Sequence, residues 1–388
     1  MNTFTTRSRR SRSQWLAGAA SAALGAALLV GPAAANAQRA GVAVAASPFS
    51  FSSVAWTGQN TVVAGTDAKG DLYCYVKPPG SAKLVTELVA PGTGSEAFHE
   101  PSIGWTGQAL VIAAVDQLGD LVYFSADAGS PTWSEQTVAT SDGGSFAFQD
   151  PSLTVANDLV LITSSTTSNH LESFTLEPDS TTWVESLVAG GPFTTSSATT
   201  AQGMAFVTAS DGGTLYMWWE ALTQPGWEKE IVASGDTANY YQGGSVSASA
   251  IYVWITASNS DSGSIVSYDE PIAGLDNNEW NKNTVTPSGV QGAPQIDWTG
   301  ATSGFDFIAA TTSSGALKYW WTFDGATPSW SPETIAASGT NAKYGTPAIT
   351  VTTTSVDVAD INLKSGAIYN WYQPFGTTPW YEQRVAKG

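Results

Sequence analysis

Residues 131–139 read PTWSEQTVA and residues 379–386 read PWYEQRVA, nearly one phrase at two distant places in the chain. Taking the Trp as an anchor and the residue six places on as a second one gives Trp133/Ala139, Trp183/Ala189, Trp227/Ala233, Trp280/Thr286, Trp330/Ala336 and Trp380/Ala386. Leu84/Ala90 joins the series if Leu replaces Trp. The fifth residue after the anchor is Val89, Val138, Val188, Val232, Val285, Ile335 or Val385, β-branched in all seven copies. Anchors stand 49, 50, 44, 53, 50 and 50 residues apart. A fixed local phrase with loops absorbing small insertions is the mark of repeated supersecondary units.

The second copy shows what one unit contains: PSIGW, ALVIAAVD, GDLVYFSAD, a Gly-Ser-Pro loop, then TWSEQTVA. Each piece is short, rich in β-branched and aromatic residues, and bounded by Gly, Asp or Pro, which predicts four strands, A to D, and leaves no room for a long helix. Strand A is expected from Ser50, Pro101, Pro151, Ser197, Ser245, Pro294 and Pro347, and strand C from Leu72, Leu121, Leu171, Leu215, Ile265, Leu317 and Ile368. Seven four-stranded antiparallel units make an all-β, seven-bladed β-propeller over residues 48–388, each blade one continuous segment. Packing between blades 1 and 7, with whatever residues 38–47 add as an arm, must then close the ring.

Residues 1–37 carry Arg7, Arg9, Arg10 and Arg12 before a small apolar run and an Ala-Asn-Ala site ahead of Gln38, the pattern of a cleaved signal peptide. Setting those four arginines aside leaves 11 basic against 33 acidic residues, a net charge of −22 on 351 residues. Such a surface disfavours nucleic acid and acidic lipid, and no membrane insertion is expected once the signal is gone. Cys74 is the single cysteine, so no internal disulfide can form and packing must supply the stability.

The seven copies can be compared with one another. The third residue after the start of strand C is Tyr75, Phe124, Phe174, Trp218, Tyr268, Trp320 or Trp371, aromatic throughout and so read as packing between blades. The anchor Trp series is read the same way, because Leu84 fills the site once. The next residue of strand C runs Val76, Ser125, Thr175, Trp219, Asp269, Trp321 and Tyr372. Adjacent strand residues face opposite ways, so Trp219, Trp321 and Tyr372 are candidates for rings beside grooves between blades, open to a ligand with apolar faces. Trp56, Trp105 and Trp298 close strand A in Trp-Thr-Gly turns and are candidates for a shared binding edge at one rim.

Catalytic chemistry is sparse. His99 and His170 lie in separate blades, and no phosphate loop, Gly-x-Ser-x-Gly or His-Glu-x-x-His phrase occurs. No cofactor is expected; a hard cation on carbonyl and aspartate oxygens is the metal chemistry left open. SADAGSPTW at 125–133 resembles the Asp-box turn of sialidases, with one residue inserted, but Arg39 and Arg384 are the only arginines after the signal, so the arginine cluster of those enzymes is missing. A neutral-glycan hydrolase needs two carboxylates. Asp67, Asp116, Asp211, Asp261 and Asp360 recur after strand B, a recurrence that favours a turn role.

GDLVYFSAD…PTWSEQTVA and GALKYWWTFDGATPSWSPETIA resemble the repeats of seven-bladed bacterial lectins related to the Photorhabdus fucose-binding lectin. That resemblance implies monosaccharide pockets between neighbouring blades, facing aromatic rings of the strand C and anchor series, and a homo-oligomer that multiplies weak pockets by avidity. The expected function is secreted, non-catalytic binding of neutral glycans or glycoconjugates. The alternatives are a scaffold or adhesion protein with protein partners, and a neutral-glycan hydrolase. Mass spectrometry of the extracellular protein should find an N-terminus near Gln38; retention of the apolar run in membranes would overturn the signal assignment.

Overall fold

The computed structural model describes residues 49–78, 84–92, 97–142, 146–275, 277, 279–298, 304–323 and 328–388. The signal segment, the arm, the Gly300 turn and residues 324–327 lie outside them. The described residues form seven four-stranded antiparallel sheets, each from four consecutive strands. This is the expected seven-bladed β-propeller. Strand A spans Phe49–Trp56, His99–Trp105, Phe148–Ala156, Thr194–Ala201, Tyr241–Ala248, Val290–Trp298 and Ala348–Val351 in blades 1 to 7. The A strands of successive blades touch one another, which places them innermost.

Six of the seven A strands begin one to four residues earlier than the sequence suggests, and the pairing shows why. A register shift interrupts strand A near its start in blades 1 to 6. In blades 2 to 6 a left-handed residue lies there: Glu100, Asp150, Thr195, Gly243 or Gly292. A bulge of this kind bends the strand and lets Pro101 and Pro151 sit inside it.

The turn from strand B to strand C varies in length but ends in a left-handed residue in every blade. Gly70, Gly119, Asn169, Gly213, Gly263, Gly315 and Gly366 all hold φ between 65° and 86°, a region that glycine and asparagine enter most cheaply. Each carbonyl accepts an N–H from the entry of the next blade: Phe98, Phe148, Gly191, Tyr241, Val290, Tyr344 and, closing the ring, Phe49, at 2.7 to 3.0 Å. Inside the ring a second set of bonds runs from blade to blade. The N–H groups of Ile103, Leu153, Ala198, Val246 and Ile296 donate to the hydroxyls of Ser53, Ser102, Ser152, Ser197 and Ser245 in the preceding blade, at 3.0 to 3.2 Å. From blade 6 to blade 7 the Asp297 carboxylate takes this role, receiving Val351 N–H at 2.8 Å.

Apolar clusters fill the seven junctions, and strand C supplies both sides of each blade. Tyr75, Phe124, Phe174, Trp218, Tyr268, Trp320 and Trp371, all buried, pack against the preceding blade. The anchor residues from Leu84 to Trp380 pack on the same clusters, so both series serve architecture. Between blades 7 and 1, Ala348 occupies the serine position and offers no oxygen. Other contacts hold that joint: the buried Asp357 accepts from Thr61 Oγ1 at 3.1 Å, and Lys77 Nζ lies 3.5 Å from the Tyr372 ring centroid.

Gly119 combines φ +86° with a Cβ position 2.3 Å from Ala147 Cβ, whereas Gly129 has φ +81° and open space. Gly129→Ala should cost about 1–2 kcal/mol for the left-handed backbone. Gly119→Ala should cost clearly more, and denaturant unfolding of the two variants measures the difference.

Candidate functional site

Three of the anchor tryptophans reach a glutamate on strand D of the preceding blade. Trp133 Nε1 donates to Glu87 Oε2 at 3.3 Å, Trp280 to Glu230 at 3.2 Å, and Trp380 to Glu333 at 3.2 Å. These glutamates all stand three residues after an anchor, where other blades have Gln136, Ser186, Asn283 or Gln383. Three junctions, 1/2, 4/5 and 6/7, therefore hold a carboxylate fixed by an indole.

Junction 6/7 is the richest. Glu333 Oε2 also accepts Gln373 Nε2 at 3.1 Å, and Gln373 donates to the Thr378 carbonyl as well. Trp380 meets Tyr319 edge to face at 5.0 Å. Strand C of blade 6, Leu317–Phe323, carries Trp321 and ends on Phe323, which is 55% exposed. Phe305 lies 4.7 Å from the Phe323 ring and 5.9 Å from Trp321, and Phe375 of blade 7, 42% exposed, stacks on Phe307 at 6.0 Å. A ledge of part-exposed rings thus belongs to the same junction as a fixed carboxylate and amide.

The six aromatic residues singled out in the sequence go to different places. Trp219, Trp321 and Tyr372 each face the following blade, as strand alternation requires, so they fall in three separate junctions. Trp219 is 3% exposed and belongs to the core between blades 4 and 5, with Tyr241 and Tyr268, so the open ring expected there is absent. Trp321 is half-buried on the 6/7 core. Tyr372 is half-buried, but its ring is taken by Lys77 and by Tyr381, stacked at 5.2 Å. Trp56 and Trp105 are half-buried at the ends of their strands; Trp298 stacks on Trp254 at 5.9 Å.

The aspartates after strand B divide by role. Asp67 Oδ1 receives the N–H groups of Lys69 and Asp71, and Asp116 Oδ1 those of Leu118 and Asp120, all near 2.9–3.0 Å. These are turn caps, and Thr166, Asn259, Thr312 and Asn362 do the same work in other blades. Asp261 follows its cap by two residues. Asp360 precedes its cap by two, lies 1% exposed inside strand B, and accepts Gly345 N–H; burial pushes its pKa up to about 7. His99 and His170 sit 3.7 and 3.5 Å from Glu100 and Glu172.

Two cavities open between early blades. One of about 590 Å³ between blades 2 and 3 is lined by Phe146, Phe148, Glu172 and Glu185 among others. One of about 440 Å³ between blades 1 and 2 meets Phe51, Asp67, Phe98 and His99. Neither is lined by any of the six aromatic candidates.

Trp219→Ala should therefore act on stability, costing about 3–5 kcal/mol as buried aromatic truncations do. The half-exposed Trp321→Ala should cost markedly less, and chemical denaturation of both variants makes the comparison.

The chain matches no protein-family model and no curated protein. Its fold does have solved relatives. The BP39L lectin from Burkholderia pseudomallei superposes with a TM-score of 0.67 at 12% identity, covering 87% of this chain and all of that one. AofleA from Arthrobotrys oligospora gives 0.51 at 13%, covering 74% and 87%. The SapL1 lectin, solved with alpha methyl fucoside, gives 0.51 at 10%, covering 88% and 97%. At such identities the likeness is one of fold: this chain is built on the β-propeller plan that these lectins also use.

Proposed function

We propose that the chain is a secreted carbohydrate-binding protein that recognises neutral glycans without turning them over. The observation that carries this reading is junction 6/7, where Glu333, Gln373 and Trp380 form a fixed polar trio beside the ring ledge of Trp321, Phe323 and Phe375. A sugar has hydroxyls that need fixed acceptors and donors and C–H faces that rest on flat rings. Preformed pockets with a few convergent polar groups are where such ligands bind. The 2/3 cavity, with Phe146 beside Glu172 and Glu185, offers a second place of the same kind.

Charge selects the ligand class. A net charge of −22 after the signal, with Arg39 and Arg384 the only arginines, disfavours sugar acids. Hydrolysis requires two carboxyl groups at least about 5 Å apart across the scissile bond. Glu333 at junction 6/7 is held by Trp380 and Gln373, and Glu230 and Glu270 at junction 4/5 lie too close together for that chemistry, which leaves Glu172 and Glu185 of the 2/3 cavity as the pair that release of reducing ends would report on.

The exposed Phe323 and Phe375 would also suit a protein partner, which keeps a scaffold role as the second reading. A glycan array followed by calorimetry separates the two. Single-pocket dissociation constants on the order of 0.1 to 1 mM are expected, about −4 to −5.5 kcal/mol, with Phe323→Ala and Trp321→Ala weakening binding about tenfold. Absence of binding to any neutral glycan, or release of reducing ends, would overturn the proposal.

A further inference from the structure

Junction 4/5 repeats the polar trio of junction 6/7 with a single exchange. In both, a glutamate on strand D receives the indole of the next blade's anchor: Glu230 from Trp280, and Glu333 from Trp380, each at 3.2 Å. In both, the fifth residue after the predicted start of strand C completes the trio. That residue is Gln373 in blade 7, whose amide donates to Glu333. In blade 5 it is Glu270. Glu270 is 1% exposed and Glu230 is 3% exposed, and among the described residues no side-chain donor reaches either oxygen of Glu270, which has only the backbone N–H of Glu279 near it. Two ionised carboxylates could not share that space, because one backbone N–H does not compensate the desolvation of the second charge.

We propose that Glu270 is carried as the neutral acid and donates its proton to the Glu230 carboxylate, doing at junction 4/5 what the Gln373 amide does at junction 6/7. Glu270 is then a positioning residue for Glu230, and junction 4/5 is sensitive to pH where junction 6/7 is not. The indole bond from Trp280 fixes the negative charge on Glu230 and the proton on Glu270. The charged groups around Glu270 reinforce the assignment. Glu230 from strand D of blade 4 and Glu279 ahead of strand D of blade 5 are both acidic. Lys282 Nζ is engaged by Tyr241 Oη at 3.1 Å, Lys229 lies over the Tyr216 ring, and Asp269 holds Asn281 and Asn283. Burial first, then the Glu230 charge and the carboxyl–carboxyl hydrogen bond, push Glu270 from 4.5 up to about 8.

The sign follows from proton counting. Between about pH 4.5 and pH 8 the folded protein keeps a proton that the unfolded chain has released, so this group's contribution to stability falls as pH rises through that window. Glu270→Gln, an isostere with its own donor, should match the wild type near pH 5 and become progressively more stable than it toward pH 9, as read by the thermal midpoint. Infrared difference spectra should show a protonated-carboxyl band at pH 6, to which the buried Asp360 also contributes, and Glu270→Gln should remove the component that disappears last on the way to pH 9. Gln373→Glu should bring the same pH dependence to junction 6/7. A wild type at least as stable as Glu270→Gln at pH 9, or no protonated-carboxyl band at pH 6, would overturn the assignment. Should Glu270→Gln fail to fold, Asp360→Asn decides instead: it removes the other buried carboxyl and must keep a band that is lost between pH 7 and pH 9. None of these readouts involves a sugar, so they stand or fall separately from the lectin reading.

Discussion

The structure depends on a carbonyl oxygen pointed sideways. At the turn between strands B and C, a left-handed residue directs its C=O toward the next blade, where the first N–H of the incoming chain meets it. An extended sheet edge would leave these groups without partners or pair them with another molecule. Here the turn uses them to fix the height and phase of each blade against its neighbour. The serine hydroxyls do the same at the inner strand, about 50 residues apart in sequence but adjacent around the ring. Once both stitches are made, the apolar clusters between blades have a defined shape to fill.

Much of this was legible in the amino-acid sequence because architecture repeats. The anchor pairs gave seven blades, and observed C strands begin within one residue of the expected positions. The entry of strand A was misplaced because a bulge carries no hydrophobic signature; Glu100 and Asp150 look like ordinary polar residues until their backbone is seen. Trp219 and Trp321 hold equivalent positions, yet one is enclosed by Tyr241, Tyr268 and Met217 of a tight junction while the other borders a ledge. That difference depends on neighbours some 50 residues away. Glu87, Glu230 and Glu333 were missed as partners of the anchor series, although their position inside the repeated phrase, three residues after the anchor, was open to inspection.

The departures from the repeat are where the molecule acquires individual chemistry. Similar backbones at the seven junctions receive Glu or Gln, Trp or Leu, Ala or Ser at matched positions, and each exchange alters one cleft while leaving the ring intact. Replacing Gln373 by its blade 5 counterpart Glu270 changes a permanent amide donor into one that can be withdrawn. Replacing a serine by Ala348 removes a stitch at a single joint. An acidic protein with few cations can place buried carboxyls this way only where an indole, an amide, a hydroxyl, a backbone N–H or a second carboxyl receives them.

The joint between blades 7 and 1 differs from the other six in chain entropy. Each of the others joins segments about 50 residues apart, whereas the Thr61 to Asp357 bond spans 296. Loop-closure entropy grows with the logarithm of length, so a sixfold longer loop costs about 1.5 kcal/mol more to close. This is the joint where neither a serine nor an aspartate stitches one strand A to the next, and it is the one that holds Lys77 over Tyr372 and a buried Asp357 with Thr61, Ser355 and Asn370 as donors. The polar clasp stands where the two ends of the ring gain most by parting, so the ring is latched at its entropically weakest point by an ammonium over a ring and a buried carboxylate taking a hydroxyl from across the joint.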